Sequence, residues 1–308
     1  PAAGKKGPVK GEILEKYGKV LPASADIHLI ASEQGLSEGH TEAAIREAES
    51  YQLSFTGKDH SHRQDLRQIP FVTIDGEDAR DFDDAIWIER IRSGYCLWVA
   101  IADVSHYVRE GTALDKEAYA RGTSVYFPER AFHMLPRALS ENLCSLRPDE
   151  PRLALVAKID LSKSGERKRT QILEGVIQSR RRATYTEIQK ERDDSKGNNN
   201  WIFAPHFELY ELLRGLRTRR GSIDFDLPEA KIDVDPSGEP VWIGMRKRLD
   251  SHRLIEEFMI AANEAVTEWM LKRRLPFIYR VHEVPAPESL EKVQRLARQA
   301  GVPLDVEA

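Results

Sequence analysis

Apolar positions along the chain fall into short runs whose spacing changes from segment to segment. Between residues 8 and 30, small clusters at Val9, Ile13 and Leu14, Val20 and Leu21, and 27–30 are interrupted by Gly18, Pro22 and charges. That pattern predicts short strands, the tail of a β-module. Residues 37–51 open on Ser37 and Glu38, then place Ala43, Ala44, Ile45 and Ala48 at helical spacing, so a short amphipathic helix is expected there. A polar stretch at 57–64 reads as a linker, with a domain boundary near residue 66. Beyond it, apolar runs predict strands at 70–74, 85–91, 95–103, 153–161 and 171–178, with Arg92-Ser93-Gly94 as a hairpin turn. Helices are expected at 114–121, 207–217 and 250–273, the last with Leu254, Phe258, Ala261, Ala262, Ala265 and Trp269 along one stripe. Strands interleaved with helices imply an α/β domain of the α+β type, a mixed β-sheet packed with helices.

Composition narrows the class. In 308 residues, 41% hydrophobic and 31% charged with ordinary Gly and Pro counts exclude collagen-like, low-complexity and wholly disordered chains. The longest apolar run, 96–102, falls far short of the ~20 residues that cross a bilayer, so no membrane partner is expected. The Pro-Ala-Ala-Gly-Lys-Lys-Gly-Pro start has neither Met nor an apolar signal core and reads as a cut end. Cys96 and Cys144 make no disulfide framework and no metal knuckle, which favours a reducing, cytoplasmic setting. Net charge is only −4, but its distribution is uneven. Basic clusters stand at 167–169, 180–182, 214–220, 246–248 and 272–274, while acids crowd 75–84. Such segregation suits a cationic track leading to an anionic pocket, although each triplet taken singly is more simply a solvated face.

The acidic segment Asp75-Gly76-Glu77-Asp78-Ala79-Arg80-Asp81-Phe82-Asp83-Asp84 sets six acids and one Arg in ten positions between two apolar strands. Crowded carboxylates raise one another's pKa or recruit cations, and hard oxygen ligands select Mg²⁺ or Mn²⁺. A calcium-loop reading fails on spacing, because Arg80 stands where Gly is needed and Ile86 where the bidentate Glu belongs. A surface acidic turn stays open, but Phe82 and the apolar flanks favour a loop tucked into a core. Divalent metal held without Cys or His points to phosphodiester chemistry, in which two ions activate water and stabilise the departing oxygen.

The segment 74–85, Ile-Asp-Gly-Glu-Asp-Ala-Arg-Asp-Phe-Asp-Asp-Ala, resembles the catalytic signature of the ribonuclease II/ribonuclease R exoribonucleases, and its wording is closer to the ribonuclease R branch. The resemblance extends in the family's order through 99–108, 121–128, 134–136, 143–146, 255–263 and 278–282, covering about residues 66–308. It implies an exoribonuclease catalytic domain over 66–308, incomplete at its C-terminal end, and residues 1–65 as the end of an OB/cold-shock-like module with a short helix and linker. It further implies processive 3′-to-5′ hydrolysis of single-stranded RNA to nucleoside 5′-monophosphates. By position, Asp75, Asp81, Asp83 and Asp84 would hold Mg²⁺, with Asp83 most tied to the chemical step and Asp75 and Asp84 as ligands. Tyr126 matches the tyrosine of an aromatic clamp on the last nucleotide, and Phe225 its second aromatic. Glu256 or Glu257 would face the RNA channel as a ribose contact. Asp103, at the end of an apolar strand, could support the metal site or equally initiate a turn, and His106, His133 and His282 are read as structural. The family's Ser-Pro-Ile-Arg-Arg-Tyr segment is not in this chain, which therefore reads as a fragment expected to bind metal yet turn over poorly. Two other readings share these residues: a module that holds single-stranded RNA without cutting it, and a metal-dependent deoxyribonuclease or endonuclease.

Overall fold

The structure is a computed structural model and describes residues 16, 23–52, 62–128, 130–195, 198, 200–225, 227–281, 283–302 and 304. Two helices come first, α1 (Ala23–Glu33) and α2 (Glu42–Ser50). The strand expected at 27–30 is therefore helical: Ile27 and Ala31, four apart on one helix face, are buried together with Phe132. The other apolar clusters assigned to the β-module (Val9, Ile13, Leu14, Val20 and Leu21) lie outside the described residues. Helix α2 starts later than Ser37, because Thr41 is its cap and accepts a hydrogen bond from the Ala44 amide.

The strands follow as β1 (Gln64–Asp65), β2 (Val72–Asp75), β3 (Asp84–Ile91) and β4 (Gly94–Ala102), then α3 (Ala113–Arg121) and a small hairpin of β5 (Val125–Tyr126) and β6 (Ala131–Phe132). Next come β7 (Pro151–Ser162), β8 (Arg167–Gln178), β9 (Arg181–Thr184), α4 (Tyr185–Asp194) and α5 (Ala204–Arg219). The chain closes with a second hairpin, β10 (Ala230–Val234) and β11 (Pro240–Met245), then α6 (Asp250–Arg273) and α7 (Pro287–Gln299). Seven strands form one mixed sheet in the order β1-β8-β7-β4-β3-β2-β9, parallel only at β1–β8 and β2–β9. The β3–β4 turn needs glycine: Gly94 has φ 147°, and a Cβ there would meet the Leu161 carbonyl oxygen at 2.3 Å.

Period-two alternation gives the sheet two apolar faces. Cys96, Trp98, Ala100 and Ala102 pack on one side with Ala44 and Ala48 of α2, Leu114 of α3, and the 139–146 segment. Leu97 and Val99 pack on the other with Ile188 of α4, Phe207 and Tyr210 of α5, and Leu254, Phe258 and Ala262 of α6. This is the mixed sheet packed with helices that the apolar pattern predicts. By contacts the chain divides into two units, residues 1–266 and 267–308. The first holds both cores; in the second, no residue of α7 is buried. Cys96 and Cys144 are free and buried, and no helix among the described residues is long and apolar enough to cross a membrane.

Candidate active site

The acidic segment spans the gap between the end of β2 and the start of β3, so Asp75 and Asp84 are strand-terminal residues. What holds the intervening loop is a pair of polar residues buried or half-buried beneath it. Ser145, fully buried, donates its hydroxyl to the Arg80 carbonyl (2.9 Å) and accepts from the Phe82 amide (3.1 Å). The Phe82 carbonyl accepts from the Leu146 amide at 2.8 Å, and the Phe82 ring is buried. From β9, Arg182 donates to the carbonyls of Gly76 (2.9 Å) and Glu77 (2.6 Å), with its guanidinium 5.7 Å from the Phe82 ring centre. The backbone of the loop is thus tied to the fold at Gly76, Glu77, Arg80 and Phe82, while Glu77, Asp78, Arg80 and Asp83 stay exposed. Ser145→Ala would leave two inward-facing backbone groups without a partner and is expected to cost about 1–3 kcal/mol. Urea unfolding of the variant checks this, and its affinity for Mn²⁺ should fall with it.

The carboxylates act on one another. Burial first, then Asp83 and Asp81, pushes the Asp75 carboxyl up to about 6. Burial, then Asp75 and Asp83, pushes Asp84 up to about 7. Asp83 is raised by burial and by Asp81. One Asp75 oxygen, Oδ2, is buried with no hydrogen-bond partner. An acceptor-only atom of that kind is costly unless a cation meets it, so the donor set fits a hard divalent ion. Among the described residues, no three His, Cys, Asp or Glu side chains are gathered into a ready-made metal group.

Around these carboxylates stand two tyrosines. Tyr126, 66% exposed, donates its hydroxyl to Asp81 Oδ2 at 3.1 Å, so the ring is anchored at one end and its face is free to stack. Tyr185 opens α4 and stacks on His252 with ring centres 4.0 Å apart. Burial and then the charges of Asp75 and Asp84 hold its hydroxyl neutral, with a pKa pushed up to about 12. Sequence reasoning missed Tyr185, although Thr184 and Glu187 form a capping box that marked a helix start at this point.

Residues 63–306 match the RNB domain family. The chain belongs to the RNB-domain family. A ribonuclease R of Aquifex aeolicus is 42% identical over 304 residues, which are 96% of this chain and 43% of that protein. One from Thermotoga maritima is 39% identical over 311 residues, 98% and 44% of the two chains. The structure of Mycoplasma genitalium RNase R in complex with ribose methylated single-stranded RNA matches with a TM-score of 0.87 at 28% identity, covering 93% of this chain and 46% of that one. The chain spans less than half the length of these relatives.

Elsewhere in this RNB domain the sequence-derived site residues have varied surroundings. Phe225 is 68% exposed, and its carbonyl accepts from Arg248 (3.2 Å), which also bonds Asp224 (2.7 Å) and Glu256 (2.5 Å). Arg217 joins Glu256 (3.0 Å) to Glu257 (2.8 Å). Glu257 is buried and committed to that pair, whereas Glu256 keeps more exposure on the side of the Phe225 segment. Asp103 is taken by Arg63 (2.6 Å) and Ser105 (2.6 Å), which overcome the effect of burial and hold its pKa below the usual carboxylate range. The amide of the preceding residue, Ala102, donates to the Asp83 carbonyl at 2.9 Å. His133 sits beside Glu141 at 3.3 Å, and His282 lies outside the described residues. Several arginines of the basic clusters are spent inside the fold, Arg167 on Glu264, Arg181 on Glu191 and Arg182 on the acidic loop.

Proposed function

We propose that this chain carries the catalytic centre of a 3′-to-5′ exoribonuclease that hydrolyses single-stranded RNA to nucleoside 5′-monophosphates, with Asp75, Asp81, Asp83 and Asp84 holding Mg²⁺ or Mn²⁺. The observation that carries the reading is the set of half-buried carboxylates at the β2 and β3 ends, mutually raised in pKa, with one Asp75 oxygen lacking any partner. When bound, divalent cations supply activation of the attacking water and offset the charge on the departing oxygen. The chain's own residues do the rest. The exposed ring of Tyr126 offers a base a stacking surface worth about 1–3 kcal/mol whatever its identity. Its hydroxyl bond to Asp81 ties that surface to the carboxylate loop. Phe225 supplies the second aromatic, and Glu256, fixed by Arg217 and Arg248, presents an acceptor to a ribose hydroxyl. The relatives named ribonuclease R, and the solved one bound to single-stranded RNA, support the substrate class.

Incubating the chain with 5′-labelled single-stranded RNA and Mg²⁺ should shorten the label stepwise from the 3′ end and release mononucleotides. Internal fragments, or equal cleavage of the matching DNA, would replace this reading with an endonuclease or deoxyribonuclease.

Metal binding should depend on pH in a defined direction. Asp75 and Asp84 keep their protons up to about 6 and about 7, so a cation must displace protons below those values and none well above them. Affinity for Mn²⁺ is expected to climb roughly tenfold per pH unit between pH 6 and 7 and to level off above pH 8. Calorimetry in buffers of different ionisation enthalpy would count the released protons. A pH-independent affinity would show that these carboxyls are not the ligands.

A further inference from the structure

On the sheet face covered by α4, α5 and α6, the inward positions of β4 and β7 are buried at Leu97, Val99, Ala157, Ile159 and Leu161. Two positions of the same face are not: Ile101 is 40% exposed and Leu155 is 41% exposed. They are direct cross-strand partners, and Ile101 is also the partner of Asp84. Asp84, Ile101 and Leu155 therefore line up across three adjacent strands, placing Leu155 about 10 Å from the Asp84 backbone at two strand spacings. Farther along β7, Leu153 and its partner Val176 are buried, but in the core that α2 and α3 cover. Glu174 continues the line beyond Leu155, but His62 (3.2 Å) and Arg63 (3.8 Å) stand against its carboxylate, so this end does not confront a polyanion with bare negative charge.

Scattered exposed aliphatics are ordinary on protein surfaces. A paired strip on the central strands, in register with a half-buried carboxylate, is a surface with a direction: it begins at the residue proposed to hold the metal and runs away from it. Resting on the exoribonuclease reading, we propose that Ile101 and Leu155 form the floor on which the RNA nucleotide next to the scissile phosphate packs its base and sugar. Aliphatic contact carries no hydrogen-bond pattern, so such a floor would steady every base alike and complement the stacking surface of Tyr126. Continuity with Asp84 is what selects RNA over a polypeptide segment as the occupant.

The test couples a change in the protein to a change in the RNA. The probe is a 5′-fluorescent single-stranded RNA, intact or lacking the base next to its 3′-terminal nucleotide, titrated against the chain in metal-free buffer at low salt. For the unmodified chain, removing the base should weaken binding about tenfold. The double variant Ile101→Asn, Leu155→Asn should bind the intact RNA about tenfold more weakly, and its penalty for the missing base should shrink below about twofold. Ile101→Val with Leu155→Met should keep most of the penalty, which excludes a general disturbance of the sheet. An undiminished penalty in the Asn variant overturns the proposal and leaves the strip as a seat for polypeptide, with the exoribonuclease reading intact. Failure of the unmodified chain to bind RNA would remove that reading and the floor with it.

Discussion

Replacing Asp83 by Asn is expected to lower RNA hydrolysis by about 10³-fold, with little change in the concentration of RNA needed for half-maximal rate. The Asp83 carboxyl is raised by burial and by Asp81, and it raises Asp75 and Asp84 in turn. Its backbone is already held by the Ala102 amide, so the isosteric amide should leave the loop in place. Removing one negative charge from a crowded set relieves repulsion. The metal-free variant should therefore melt at the same temperature as the parent or slightly above it. A single-turnover assay on 3′-hydroxyl RNA, run beside thermal unfolding, separates the two effects. Hydrolysis at the parent's rate would remove Asp83 from the chemistry, and a lower melting temperature would show that the loss came from the fold.

The second large effect lies outside the carboxylate loop. Arg63 and Asp103 have side chains only 3% exposed and meet at 2.6 Å. Arg63→Ala would leave the Asp103 carboxylate buried with Ser105 as its remaining side-chain donor among the described residues, and should cost about 3–5 kcal/mol. The direction with pH follows from the depressed pKa of Asp103. Its contribution is complete above the ordinary carboxylate range and is lost as pH falls through the lower folded value, so the gap between parent and variant should narrow on acidification below about pH 4. Replacing both partners, Arg63→Met with Asp103→Leu, should recover most of the loss, since a matched apolar pair leaves no uncompensated charge. Chemical denaturation of the three variants at neutral and acid pH checks both statements. Equal stability of parent and Arg63→Ala would mean that the pair holds nothing in place.

Much of the sheet was legible because apolar runs with period-two alternation have few other uses. The expected strands at 85–91, 95–103 and 153–161 correspond within a few residues to β3, β4 and β7, and the long helix at 250–273 matches α6. Where the pattern was too short to separate periods, it misled. Residues 27–30 are apolar enough for a strand, yet Ile27 is buried with Ala31 and Phe132 in a helical arrangement. The β10–β11 hairpin was not anticipated, and its sequence offers no buried face: Val241, Ile243 and Met245 are all largely exposed. β9 was hidden inside the Arg180-Arg181-Arg182 cluster, which resembles a solvated charge run until its pairing with β2 is seen.

The sequence by itself determined that six acids lie between two buried strands, and that such a density of carboxylates demands cations. It also determined, through resemblance, which family to expect. Tertiary structure alone decided which charges remain available. Arg182 was one basic residue among many until β9 set it against the acidic loop, and Asp103 was a plausible metal neighbour until Arg63 claimed it. Tyr185 and Leu155 lie in no motif, and Ser145 and Ile101 lie inside matched segments that assign them no role. Their importance comes from register and burial, and these depend on which strands pair and which helices cover them, relations between residues far apart in the chain that no local spacing records.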